Sequence, residues 1–140
     1  MFDTIFYIIH FSVFFLLLFP ICCKRNFLTF LNSHYSKANL SPLGAILGVM
    51  PWNFPFFLIA RKAAPALLTG NTIVVKPSQL TPENAYVFAQ IVDEVGLPKG
   101  VFNLVNGRGS VIGHELAANP KVGMVSLTGS VEAGIQTMAA

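Results

Sequence analysis

The sequence predicts an α/β domain with a parallel β-sheet and helices on both faces, preceded by a hydrophobic N-terminal helix. Three observations predict this fold class. Strand-like and helix-like runs alternate after Ser41, the strand-like runs are almost continuously apolar, and a long uncharged run precedes them. Strands are apolar throughout when helices cover the sheet on both sides. A chain of 140 residues is long enough for one such domain.

The overall composition excludes several classes of protein. Hydrophobic residues make up 54% of the chain and charged residues 11%, which excludes intrinsic disorder. Two cysteines exclude a disulfide scaffold, and no Cys/His cluster has zinc-ligand spacing, so no metal site is predicted. The net charge of +3 is scattered along the chain, and we therefore expect no nucleic-acid partner.

The chain divides into two segments of different composition. Residues 1–40 contain eight of the 13 Phe and no Gly, whereas residues 41–140 contain all 11 Gly and all but one of the 9 Pro. This change predicts a boundary near Leu40, with a hydrophobic segment over 1–40 and an α/β domain over 41–140.

The hydrophobic segment has two interpretations that the sequence leaves open. The uncharged run Ile5–Cys23 is long enough for a transmembrane helix, because a helix of that length would span roughly 28 Å. Lys24 and Arg25 follow it and would lie on the cytoplasmic side. The same composition is typical of A/T-rich non-coding DNA translated ahead of a gene. Cys22 and Cys23 are either a palmitoylation site or unused thiols.

Proline, glycine and β-branched residues delimit the elements of the second segment. A helix should cover Pro55–Thr69, with Gly70 past its end and a kink at Pro65. Thr81 and Pro82 should open the next helix. Its predicted buried face consists of Ala85, Phe88, Ala89, Val92 and Val95. The remaining predictions are strands over Gly44–Met50, Thr72–Lys76, Val101–Val105 and Gly123–Leu127, and helices over Ser110–Ala118 and Val131–Ala140.

The loops that follow the strands are the predicted functional region, because ligands bind parallel sheets at the carboxyl ends of the strands. Asn53 lies just ahead of a helix and is either an N-cap or turn residue, or an amide donor that stabilises an oxyanion. Phe54 should be extended because Pro55 follows it. Lys76 either extends to solvent or meets an anionic or hydroxyl-bearing ligand. Gln79 suits a ribose hydroxyl.

Two glycine-containing loops also admit two interpretations each. The loop from Gly107 to Gly113 is one residue too long for a dinucleotide fingerprint, so it is either a glycine turn or a ligand-binding helix start. Ser130 is the expected N-cap of the last helix, and free N–H groups beside it could hold a phosphate. Ile135 stands where a P-loop needs lysine, which excludes a P-loop ATPase.

Taken together, these segments resemble the aldehyde dehydrogenase superfamily. The matching segments are PWNFP (51–55), APALLTGNTIVVKPS (64–78), TP (81–82), GLPKGVFNLVNG (96–107) and TGS (128–130). The stretch PWNFPFFLIARKAAPALLTGNT is most similar to the bacterial branch that acts on lactaldehyde and glycolaldehyde. The resemblance covers 41–140 and implies part of a Rossmann-like domain that binds NAD or NADP.

The resemblance also implies roles for individual residues. In the family, a Cys thiolate attacks the aldehyde and a Glu-activated water releases the carboxylic acid. Asn53 matches the oxyanion-hole amide of that reaction. Lys76 matches the lysine that bonds the adenosine ribose, and His114 is a weaker candidate for the cofactor pocket. The other implied cofactor-binding residues lie in the same loops and are Trp52, Ser78, Gln79, Gly109, Gly113, Gly129 and Ser130.

Two departures from the family pattern shape the functional expectation. Many NAD-using members have Glu where this chain has Gln79, so a relaxed preference between NAD and NADP is expected. The motifs that carry the Glu base and the nucleophilic Cys do not occur in the sequence. The expected function is therefore an aldehyde dehydrogenase fragment that is inactive alone. The alternatives are a membrane-tethered NAD-binding module and one half of a split enzyme.

The resemblance finally implies partners and location. A small aldehyde is the expected substrate, and family members are homo-oligomers, although the oligomerisation segment has no match here. The family domain is expected in the cytoplasm. The chain would instead contact a membrane if 5–23 is a true transmembrane helix.

Overall fold

The computed structural model describes residues 41–140, of which Pro42–Ala140 form one compact unit. The predicted transmembrane helix over 5–23 lies outside the described residues. Strands and helices alternate along the described part. In chain order they are β1 (Ala45–Val49), α1 (Pro55–Leu68), β2 (Thr72–Lys76), α2 (Pro82–Glu94), β3 (Phe102–Leu104), α3 (Gly109–Ala117), β4 (Val122–Leu127) and α4 (Val131–Met138).

The four strands form one parallel sheet in the order β3-β2-β1-β4. The chain adds strands in one direction from β1 to β3 and then crosses to the other side of β1. Because parallel crossovers are right-handed, α1 and α2 lie on one face of the sheet and α3 on the other. This reversal creates a topological switch point between β1 and β4.

Aromatic and aliphatic side chains pack α1 and α2 against the face of the sheet that these two helices cover. The register aligns Ile46 of β1 with Ile73 of β2, and Ile73 with Phe102 of β3. The Phe102 ring lies 5.5 Å from the ring of Phe88 in α2. Phe88 also packs at 5.1 Å against Phe56 of α1. This cluster fixes α1 and α2 to the sheet and to each other.

The structure agrees with most of the predicted element bounds. Strand β2 covers the predicted residues, and the other elements differ from prediction by one or two residues at their ends. Helix α1 continues through Pro65 to Leu68. Ala85, Phe88 and Val92 are buried as predicted, whereas Ala89 and Val95 are half-buried.

One local prediction was wrong, and one was confirmed in position but not in its side-chain hydrogen bond. Phe54 is not extended but left-handed, with φ 50° and ψ 46°, because the chain reverses sharply between β1 and α1. Thr81 occupies the N-cap position of α2, but its side chain caps no backbone N–H, and its hydroxyl is buried without a hydrogen-bond partner in the described part of the chain.

None of the helices within residues 41–140 is both long enough and apolar enough to cross a membrane.

Candidate cofactor site

A cleft of about 490 Å³ opens at the switch point between β1 and β4, and we name it the β1–β4 cleft. Sheets of this type bind ligands at the position where the strand order reverses. Three of the four loops predicted to face a ligand contribute to it. Its lining residues are Val49, Met50, Pro51, Trp52, Asn53, Ser78, Leu127, Thr128, Gly129, Ser130 and Ala133.

Backbone hydrogen bonds hold the rims of this cleft in place. Met50 N–H donates to the Lys76 carbonyl at 3.0 Å, which joins the end of β1 to the end of β2. Thr128 N–H donates to the Val49 carbonyl at 3.1 Å, which joins the end of β4 to the end of β1. The loops therefore begin from fixed positions on the sheet.

Trp52 and Asn53 form one wall of the cleft and are exposed. Trp52 is 62% exposed. The Asn53 side chain has no hydrogen-bond partner among residues 41–140, so it does not cap α1. The left-handed Phe54 follows directly and forms the N-cap position of that helix. Asn53 is thus an available amide donor at the rim.

Gly129 and Ser130 form the opposite wall, at the start of α4. Ser130 Oγ accepts a hydrogen bond from Ala133 N–H at 3.2 Å, as predicted for an N-cap. The first turn of a helix also presents N–H groups without intrahelical partners, which favour an anion. Glu132 lies in this turn, but its carboxylate accepts from Gln136 Nε2 at 2.9 Å and is held along the helix.

Lys76 is buried rather than extended to solvent. It is 4% exposed, and its Nζ donates to the Pro77 carbonyl at 2.8 Å. Burial lowers the pKa of Lys76 below the ordinary value of 10.5. Its Cε lies 4.0 Å from the position that a Cβ on Gly109 would occupy, so the amine lies beneath the start of α3. An ammonium has three donors, and this one has a single acceptor in the described part of the chain.

A second cleft of about 420 Å³ lies at the carboxyl ends of β2 and β3, and we name it the β2–β3 cleft. Its lining residues are Gln79, Leu80, Pro82, Asn106, Gly107 and Arg108. Ser78 and Gln79 are consecutive, and each lines one of the two clefts. Gly113 and His114 lie further along α3 and line neither, and His114 is exposed.

Two basic residues were not singled out by sequence reasoning. Arg108 lies in a loop that was identified, but nothing in the pattern distinguished it from its neighbours. Lys62 of α1 donates to Ser126 Oγ at 2.8 Å and to the Ser126 carbonyl at 3.0 Å. Burial, and then the neighbouring Arg61, lower the pKa of Lys62. Helical periodicity could have placed Lys62 on the sheet-facing side of α1, but not opposite Ser126.

Comparison with known proteins identifies a family. A model of the aldehyde dehydrogenase family matches residues 22–140. This match begins upstream of the boundary predicted near Leu40. Lactaldehyde dehydrogenase of Escherichia coli is 72% identical over 97 residues, which cover 69% of this chain and 20% of that protein. A D-glyceraldehyde dehydrogenase (NADP(+)) of Thermoplasma acidophilum is 47% identical, with 69% and 20% covered.

Solved structures give the same result. The crystal structure of Escherichia coli lactaldehyde dehydrogenase aligns with a TM-score of 0.70 and 57% identity, covering 81% of this chain and 27% of that one. A mutant aldehyde dehydrogenase of Pseudomonas syringae in complex with NAD+ and octanal aligns with a TM-score of 0.70 and 48% identity, covering 71% and 21%. The chain therefore spans about a fifth of the length of the curated relatives that it matches.

Proposed function

The chain belongs to the aldehyde dehydrogenase family, and we propose that its described residues form part of the NAD(P) site of an enzyme that oxidises an aldehyde to a carboxylic acid. The observation that carries the proposal is the β1–β4 cleft. It brings Trp52, Asn53, Ser78, Gly129 and Ser130 to the switch point of a parallel sheet. When bound, the nicotinamide cofactor supplies the electron acceptor of the oxidation.

The pyrophosphate of the cofactor would lie against the start of α4. The N–H groups of this first helical turn favour phosphate oxygens, and Ser130 fixes the turn through its hydrogen bond to Ala133. Gly129 leaves the approach to these groups free of a side chain. Trp52 and Ser78 line the same cleft and would contact the nucleotide on its other sides.

Lys76 would hold the adenosine ribose. Its buried ammonium has unused donors, and a ribose offers hydroxyl oxygens that can accept from them. A side chain on Gly109 would come within contact distance of Lys76. Because glycine has none, a ligand can reach the Lys76 amine from this side. A buried amine with one acceptor fits a hydroxyl-bearing ligand better than it fits a purely structural role.

Asn53 would act on the aldehyde. An amide N–H directed at the aldehyde oxygen stabilises the negative charge that develops there, by about 3–4 kcal/mol in comparable sites. The exposed Asn53 side chain has no competing hydrogen bond within residues 41–140. The similarity to lactaldehyde dehydrogenase supports a small hydroxyaldehyde as the substrate class.

Binding of NAD+ to the full 140-residue chain tests the cofactor assignment. We expect saturable binding by calorimetry, and at least about tenfold weaker binding for Lys76→Met, which keeps the apolar stem and removes the donors. Lys99→Met is the matched control, since Lys99 is exposed at the amino end of β3. Circular dichroism checks that each variant is folded. A folded chain without saturable NAD+ binding would contradict the proposal.

Turnover tests a second part of the proposal. The two cysteines of the sequence, Cys22 and Cys23, both lie in the hydrophobic segment ahead of the cofactor-binding loops, and the family's reaction proceeds through a thiolate. We therefore expect the 140-residue chain to bind NAD+ without forming NADH when L-lactaldehyde is added. The absorbance of NADH measures this, and steady NADH formation would show that the chain oxidises aldehyde by another route.

A further inference from the structure

A third cavity, of about 610 Å³, lies between α1 and β4, and we name it the α1–β4 pocket. Its walls include Arg61 and Lys62 of α1 and Ser126 of β4, and no acidic side chain of the described residues lines it. Thr128 lines both this pocket and the β1–β4 cleft, so the two cavities adjoin. The pocket therefore places two basic side chains beside the proposed cofactor site, and the proposed function uses neither of them.

The Lys62 side chain crosses the face of the sheet from α1 to β4. Its Cδ lies 3.8 Å from the position that a Cβ on Gly48 of β1 would occupy. The amine then reaches Ser126, whose Oγ lies 2.8 Å away and whose carbonyl oxygen lies 3.0 Å away. A neutral amine has two N–H groups and one lone pair. It can therefore keep both hydrogen bonds to Ser126 while its lone pair stays free to react.

The surroundings of Lys62 disfavour the charged form of its amine. Burial lowers the pKa of Lys62, and the neighbouring Arg61 lowers it further. Desolvation and an adjacent cation are the two conditions that make a lysine amine a nucleophile towards carbonyl compounds. Lys62 meets both conditions, and it does so on the wall of a cavity that is large enough for a small molecule.

We propose that Lys62 is a covalent aldehyde-binding site, at which its amine condenses reversibly with a small aldehyde in the α1–β4 pocket. The Nζ lone pair attacks the carbonyl carbon, and a proton moves from the nitrogen to the oxygen. The carbinolamine then loses water and leaves a C=N bond, so amine and aldehyde give imine and water without any oxidant. The choice of an aldehyde rests on the proposed function, whereas the reactivity of the amine does not.

Reductive trapping tests the proposal on the full chain. Glycolaldehyde is the probe, and cyanoborohydride at neutral pH reduces its imine to a stable hydroxyethyl amine that peptide mass spectrometry locates. We expect Lys62 to be modified at least about tenfold faster than the exposed Lys99 and Lys121. The same chain unfolded in urea should show no such preference, because the fold creates the surroundings of Lys62.

Variants of the chain test the cause of the reactivity. Lys62→Met should remove the fast-forming adduct, whereas Lys99→Met, the matched control, should keep it. Arg61→Gln should slow the modification of Lys62 by at least about threefold, because it removes the neighbouring cation that disfavours the ammonium. Circular dichroism checks that each variant is folded. The site is located in the wild-type chain, so the test still holds if Lys62→Met does not fold.

The outcomes separate this inference from the proposed function, because trapping needs no NAD+. Equal modification of Lys62 and the exposed lysines, or the same preference in urea, would overturn the aldehyde site and leave the cofactor site standing. Selective modification of Lys62 in a folded chain that does not bind NAD+ would support the aldehyde site and overturn the cofactor assignment.

Discussion

Phe54 has a backbone conformation that side chains other than glycine rarely adopt. Its φ of 50° lies in the left-handed region, and it is the one residue other than glycine with positive φ in the described part of the chain. The side chain is 76% exposed, so packing contributes little to holding it there. The conformation lies between Asn53 and the start of α1, and it turns the chain so that Asn53 stays at the rim of the β1–β4 cleft.

Glycine should relieve the strain at this position. We expect Phe54→Gly to be more stable than Phe54→Ala by about 1 kcal/mol, because Ala keeps the Cβ that disfavours left-handed backbone. Urea denaturation measures the difference in the free energy of unfolding. The same pair at Phe57, which is exposed within α1, should show the opposite order by about 1 kcal/mol. Equal stabilities for the two Phe54 variants would show that the position is unstrained.

At the scale of secondary-structure elements, the sequence locates helices well but does not reveal how each one is capped. Both α2 and α4 follow a hydroxyl residue at the N-cap position, Thr81 and Ser130. Ser130 Oγ accepts from Ala133 N–H, whereas the Thr81 hydroxyl turns into a buried position without a partner. The difference depends on backbone angles and neighbours that the residue type does not reveal.

Removing the two hydroxyls should therefore have unequal effects. Ser130→Ala should lower the free energy of unfolding by about 1 kcal/mol, the usual loss for an N-cap side chain. Thr81→Ala should cost markedly less, because it removes a buried hydroxyl that has no hydrogen bond. Thermal or urea unfolding of the two variants measures the contrast. A larger loss for Thr81→Ala would mean that its hydroxyl has a partner in solution.

At the scale of the whole molecule, Lys62 couples stability to pH. It joins α1 to β4 through Ser126, and burial lowers its pKa in the folded state. Between that lowered pKa and the ordinary 10.5, the unfolded chain binds more protons than the folded one. Lys62 should therefore make the free energy of unfolding increase as the pH rises through this window.

Lys62→Met should flatten this pH dependence. Urea titrations at a series of alkaline pH values should give a smaller increase in the free energy of unfolding for Lys62→Met than for the wild-type chain. Lys76 contributes in the same direction, because burial also lowers its pKa, so some of the slope should remain. Lys99→Met controls for the removal of an exposed lysine. An unchanged slope in Lys62→Met would show that the amine is hydrated in solution.

The order, type and approximate bounds of the elements follow from local sequence patterns, because hydrophobic period and Pro/Gly positions are local properties. These patterns also place the candidate loops, since a parallel sheet presents its strand ends on one edge. Which of those loops lie together depends on the strand order of the folded chain. Only the position of β4 beside β1 brings Asn53 close to Ser130, and only the burial of Lys76 leaves its amine beneath Gly109. Strand order and burial depend on contacts between residues far apart in the chain, and no local pattern encodes those contacts.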